Sequence, residues 1–192
     1  SLPSTGTMLI VGGDFARTQI LSVGYQLQDM GVPLVLFSTE GSTLCDEEVK
    51  RLCSTVITVG EGSDLTARLA SWQAETNQAV SQLHLFISPT ELQLVQKARA
   101  NNRLSGFAST KFSAAVFGPM QCMLKGVCAQ CLQWQIDPQT GKRTKAVYAC
   151  SWQNQPLEII DLDNINERLA QNSCQETLSN LWLDYILDVT ED

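Results

Sequence analysis

Five short apolar runs, separated by stretches of helical period, constrain this chain more than any other feature. Met8-Leu-Ile-Val11, Pro33-Leu-Val-Leu-Phe37, Val56-Ile-Thr-Val59, Leu83-His-Leu-Phe-Ile87 and Phe112-Ser-Ala-Ala-Val-Phe117 read as buried strands. Between them, Phe15 to Met30 places Ile20, Leu21, Val23, Leu27 and Met30 at helical spacing, and Gly31 closes that helix. Cys45 to Cys53 reads as a short charged helix, and Asp64 caps a helix through Leu65, Leu69 and Trp72 to about Gln78. Ser88-Pro89-Thr90-Glu91 opens another, with proline and acid near its start, that ends around Asn101. Strands alternating with helices imply right-handed crossovers and a parallel sheet covered on both faces. The predicted fold class is therefore α/β, a Rossmann-like, doubly wound, parallel five-stranded sheet.

After Phe117 the pattern changes. Gly118-Pro119 begins a cysteine-rich loop, and Leu132 to Ile136 pairs with Thr144 to Ala149 across Asp137-Pro-Gln-Thr-Gly141, a β-hairpin signal. The tail from Leu162 to about Asp188 is expected to be helical, broken near Asn172-Ser173, with an apolar stripe of Leu178, Leu181, Trp182, Tyr185 and Ile186. That stripe fits packing against the chain's own core or a partner. The division read from these signals is a linker at 1–7, an α/β domain at 8–117, and a cysteine-rich lobe with hairpin and helices at 118–192, whose motifs suggest NAD(P)-binding-like and iron–sulfur characters for the domain and the lobe respectively. Ser1 and the linker-like Leu2-Pro3-Ser4-Thr5-Gly6 suggest an excised C-terminal fragment.

A formal charge of −7 with no basic stripe argues against a nucleic-acid partner, because phosphate binding requires clustered Lys and Arg. The longest apolar runs fall well short of the roughly 20 residues that cross a bilayer, so no membrane span is expected and a cytoplasmic location is the default. Seven cysteines, three of them within ten residues, then point to metal or redox chemistry rather than disulfides.

Cys122, Cys128 and Cys131 are spaced C-x5-C-x2-C, and Cys150 follows after eighteen intervening residues, at the far end of the hairpin that begins beside Cys131. A hairpin returns its chain to its origin, so four thiolates can converge. The small Gly126 and Ala129 suit a tight loop whose backbone N–H groups point at bridging sulfides. Soft thiolates select iron–sulfur or zinc centres. Structural zinc usually takes two C-x2-C knuckles, and only one is present, which favours a [2Fe-2S] cluster over zinc or unliganded, partly disulfide-linked cysteines. Cys45, Cys53 and Cys174 have no ligand spacing and read as small buried apolar residues.

These motifs resemble the C-terminal half of the dihydroorotate dehydrogenase electron-transfer subunit and its relatives in the ferredoxin-NADP reductase superfamily. The residues that carry the resemblance are Leu9-Ile-Val-Gly-Gly13, the α/β order, Gly118-Pro-Met-Gln-Cys122 through Cys131, the hairpin and Cys150. The resemblance implies a nucleotide domain that receives hydride from NAD(P)H and a [2Fe-2S] cluster that passes single electrons onward. It also implies an FAD that only another domain could supply, with the other domains or subunits of a flavin oxidoreductase as partners. It places Gly12, Gly13, Arg17, Ser88 and Pro89 at the nucleotide site and Cys122, Cys128, Cys131 and Cys150 on the metal.

The chain departs from the family pattern in three places. Five residues rather than four separate the first two cysteines. The turn that reads G-G-x-G-x-A-P in relatives is Gly12-Gly13-Asp14-Phe15-Ala16-Arg17, where Phe15 adds bulk and Asp14 adds repulsion to a pyrophosphate, partly offset by Arg17. The Cys-Gly-Pro turn beside the nicotinamide is here Ile87-Ser88-Pro89. Weak or absent nucleotide binding is the expectation, and a reading in which Gly12 and Gly13 simply end a strand competes with their role at a nucleotide.

His84, the single histidine, lies in an apolar strand pattern and reads as a core residue rather than a catalytic base. Glu158, Asp161, Asp163 and Glu167 fit helix starts. Trp134 and Trp152 flank the cysteines and suit either shielding of a cluster or ordinary packing. Two functions follow: an electron-transfer module of a larger NAD(P)/flavin/iron–sulfur oxidoreductase, or a non-catalytic interaction domain with a structural zinc or empty cysteine site and a degenerate nucleotide site.

Overall fold

The computed structural model describes residues 3, 5–14, 16–39, 46–60, 64–116, 131–149, 151–171, 178, 181 and 182. Strand β1 (Thr7–Gly12) is buried along its whole length because it pairs in parallel with β2 (Leu34–Thr39) on one side and β4 (Val80–Phe86) on the other. Its continuous apolar run is what a strand covered on both faces requires. The strand β3 (Thr55–Val59) lies outside β2, and β5 (Lys111–Ala114) outside β4, also in parallel.

The strand order is β3-β2-β1-β4-β5-β8. The first five strands are the doubly wound arrangement expected from the sequence. The expected count of five is corrected by a sixth strand, β8 (Gln155–Pro156), which pairs antiparallel with the edge of β5. Two residues leave no readable period, and proline is tolerated there because the strand is an edge.

Side chains of β1 alternate between two cores. Leu9 and Val11 join Val35, Phe37, Leu83 and Leu85 against Leu69 and Trp72 of α3 (Leu65–Thr76), and against Leu92 and Val95 of α4 (Pro89–Ala100). Met8 and Ile10 face Ile20, Val23 and Leu27 of α1 (Ala16–Asp29) and Val49 of α2 (Glu47–Leu52). The chain after the hairpin also enters the first core through Leu157, Ile160, Leu162 and Ile165, the last two on the helix α5 at 162–171.

Local chemistry sets the helix ends. Gly31, at φ +67°, and Val32 end α1 as a Schellman motif, with Gly31 N donating to Gln28 O at 3.0 Å and Val32 N to Leu27 O at 2.9 Å. Asp46 caps α2 by accepting from Val49 N at 2.9 Å, so that helix starts at Glu47 rather than at Cys45, which lies outside the described residues. Asp64 accepts from Thr66 N at 2.9 Å to start α3, and Ser88 with Glu91 forms a capping box at α4.

The hairpin pairs β6 (Leu132–Ile136) with β7 (Arg143–Tyr148) around Asp137, whose carboxylate accepts from Gln139 N at 2.9 Å and Thr140 Oγ1 at 3.1 Å. The free side of β6 is tied to the main body: Gln135 bridges Ile160, and Asp161 N donates to Trp134 O at 3.0 Å. Among the described residues, no helix is long and apolar enough to cross a membrane. The described part of the C-terminal stripe, Leu178, Leu181 and Trp182, is exposed.

Candidate functional site

Parallel strands β1 and β4 are neighbours whose crossovers run to opposite sides, so the crevice at their carboxyl ends is the topological switch point where such sheets receive ligands. Gly12 ends β1, Gly13 follows it, and Arg17 sits in the first turn of α1; Ser88 caps α4 and Pro89 is its first residue. The fold thus brings the five residues expected at a nucleotide site to one edge of the sheet.

Their chemistry there is already engaged. A Cβ at Gly12 would stand 2.7 Å from Phe86 O, 2.9 Å from Phe86 Cβ and 3.1 Å from Ala16 Cβ, so this glycine lets β1, β4 and α1 approach each other. Arg17 donates to Asp46 Oδ2 at 2.8 Å and to Glu48 Oε2 at 3.2 Å, and Tyr25 donates to Glu48 Oε1 at 3.0 Å. The hydrogen bond that Arg17 donates to Asp46 holds the guanidinium above its ordinary value; Val49 N–H and Arg17 hold the Asp46 carboxyl below its own. Ser88 Oγ donates to Glu91 Oε2 at 2.7 Å, placing a carboxylate at the start of α4. A pyrophosphate seeks glycines, helix N-termini and an available cation. Here Arg17 is paired with two acids and the start of α4 carries a third, an arrangement that opposes the charge of a pyrophosphate.

The second region is the hairpin. Ala149 N donates to Cys131 O at 3.0 Å, so β7 closes back onto the residue that precedes β6. Cys131 is buried, at 8% exposure. Cys122, Cys128 and Cys150 lie outside the described residues, and among the described residues no three His, Cys, Asp or Glu side chains gather as a metal site. Trp134 is half-buried, with the Arg143 guanidinium 5.4 Å from its ring centre, and Trp152 is exposed, with Lys145 Nζ 5.0 Å from its ring.

Sequence reasoning missed which face of β6, the strand that follows Cys131, is buried. Alternation in Leu132-Gln-Trp-Gln-Ile136 suggests apolar residues inside, yet Gln133 and Gln135 are buried at 1% and 2% exposure while Leu132, Trp134 and Ile136 are half-buried. The buried Gln155 of β8 accepts from Gln135 Nε2 at 2.7 Å and donates to Gln133 Oε1. The available signal was phase, since Cys131, Gln133 and Gln135 fall at every second position. Gln155, distant in the chain, had none. This amide cluster fits a sulfur-held centre: Gln133 Nε2 is buried without a hydrogen-bond partner, a donor available to a sulfur acceptor.

His84 is half-buried in β4, and burial pushes its pKa down to about 4, so it stays neutral at physiological pH. It serves the sheet.

No family model matches the chain. The likeness to solved structures is broader. The chain aligns with a chain of the NADH-dependent reduced ferredoxin-NADP oxidoreductase, a structure described for flavin-based electron bifurcation, with a TM-score of 0.67 and 14% identity. The alignment covers 94% of this chain and 63% of that one. This likeness shows the fold. By sequence, 61 residues are 49% identical to Uncharacterized protein RP006 of Rickettsia prowazekii (strain Madrid E), which is 32% of this chain and 8% of that protein. The chain therefore spans less than two thirds of the length of either match.

Proposed function

We propose that this chain is an electron-transfer module of a larger NAD(P)/flavin/iron–sulfur oxidoreductase, of the dihydroorotate dehydrogenase electron-transfer type. In this reading Cys122, Cys128, Cys131 and Cys150 hold a [2Fe-2S] cluster. The observation that carries it is the closure of the hairpin, where the Ala149 N–H donates to the Cys131 carbonyl at 3.0 Å one residue before Cys150. When bound, the cluster supplies one-electron chemistry at thiolate-held iron.

The chain's own contribution is containment. Burial of Cys131 keeps water from its sulfur, Arg168 Nη1 fixes the start of β6 by donating to Leu132 O at 2.6 Å, and Arg143 ties β7 to Asp161 at 2.8 Å. The flavin belongs to a companion domain. The α/β layer is a retained nicotinamide domain that has lost tight nucleotide binding.

Protein prepared without oxygen should be coloured, with bands in the visible region and iron and sulfide at the stoichiometry of one [2Fe-2S] cluster per chain. Colourless protein with stoichiometric zinc would overturn the proposal. The clasp of Arg17 by Asp46 and Glu48 fits a second reading, a non-catalytic interaction domain with a structural zinc or empty cysteine site and a degenerate nucleotide site; the same metal analysis separates the two.

A further inference from the structure

The three buried amides are directed. Gln135 Nε2 donates to Gln155 Oε1, Gln155 Nε2 donates to Gln133 Oε1, and Gln133 Nε2 ends the chain with no partner. Each amide in such a chain polarises the next, so the last N–H is the strongest donor of the three. A buried donor left unpaired is destabilising, and packing alone would be served as well by apolar side chains of the same shape. Cys131 stands two residues before Gln133, immediately ahead of β6, and both are buried.

We infer that Gln133 donates its Nε2–H to sulfur of the centre held at Cys131, and that the Gln135–Gln155–Gln133 chain thereby tunes how readily that centre accepts an electron. The inference rests on the proposed cluster. A donor at sulfur stabilises the more negative, reduced state and so raises the midpoint potential. Gln133 is a positioning and tuning residue, not a ligand. Because Gln155 belongs to β8, the tuner is anchored to the edge of the main sheet and joins the two parts of the fold.

The test compares wild type, Gln133→Leu and Gln135→Leu as full chains prepared without oxygen. It measures iron and sulfide content, midpoint potential by dye-coupled titration, and the rate of iron release to a chelator. Gln133→Leu should keep its iron, titrate at a more negative potential and release iron about 10- to 100-fold faster. Gln135→Leu, which leaves the terminal N–H in place, should shift less. An unchanged potential and release rate in Gln133→Leu overturns the inference while leaving the cluster standing, and so does an equal shift in Gln135→Leu, which would mark a packing effect. Wild type without iron removes the cluster and the inference together. Should Gln133→Leu lose its fold by circular dichroism, Gln133→Met, unbranched and of similar length, replaces it. A more negative potential in that variant supports the inference, and an unchanged one overturns it.

Discussion

At the carboxyl edge of β1 and β4, the polar side chains that would meet a nucleotide have met each other: Arg17 is shared by Asp46 and Glu48, and Ser88 pairs with Glu91. In the seam under the hairpin, three amides are lined up and the last donor is unpartnered. The first region is self-satisfied and the second is not. The difference teaches that a site's position in a fold and its chemical availability are separate properties. The switch point is where this architecture usually binds, yet its charges are paired internally, whereas the seam has no topological privilege and keeps an open donor.

The most severe way to break the comparison is at Cys131. Cys131→Ser should abolish visible absorption and iron content in protein prepared without oxygen, and retention of both would remove the hairpin seam as the chemical centre. At the other region, titration with NADH or NADPH followed by tryptophan fluorescence should show no binding at micromolar concentration. Micromolar affinity would mean that Asp14 and the Arg17 clasp do not close the switch point.

The sheet joining the two regions can be probed with acid. The unfolded chain protonates its histidine near 6.5, whereas folded His84 does so only near 4, so between those values the unfolded state binds more protons. Stability should be complete above about pH 6.5 and fall toward pH 4 by up to about 3 kcal/mol, seen as a dropping thermal midpoint. His84→Leu should flatten that slope; an unchanged slope would show that carboxylates, not His84, dominate it.

Smaller effects sharpen the assignment of the switch point to structure. Gly12→Ala should cost about 1–3 kcal/mol in denaturant unfolding, through crowding against Phe86 and Ala16. Ser88→Ala should cost about 1 kcal/mol in denaturant unfolding by removing the α4 cap. A Ser88→Ala variant of full stability would mean that the capping box is not what Ser88 provides.

Elements whose cause is local were legible in the sequence: the apolar β1 run, the Gly31 helix stop, the Asp64 and Ser88 caps, and the Asp137–Gly141 turn. Each depends on side chains within a few residues of the backbone they control. β8 and the burial of Gln133, Gln135 and Gln155 were not legible, because they depend on which surfaces meet after distant segments pack. The thiolate spacing of Cys122, Cys128 and Cys131 is likewise written in the chain, as are the glycines of a nucleotide turn. That Arg17 is claimed by the start of α2 and that an amide donor is left over on the buried face of β6 were decided by tertiary structure. A charge or donor is available only when no neighbour brought in by the fold has already paired with it.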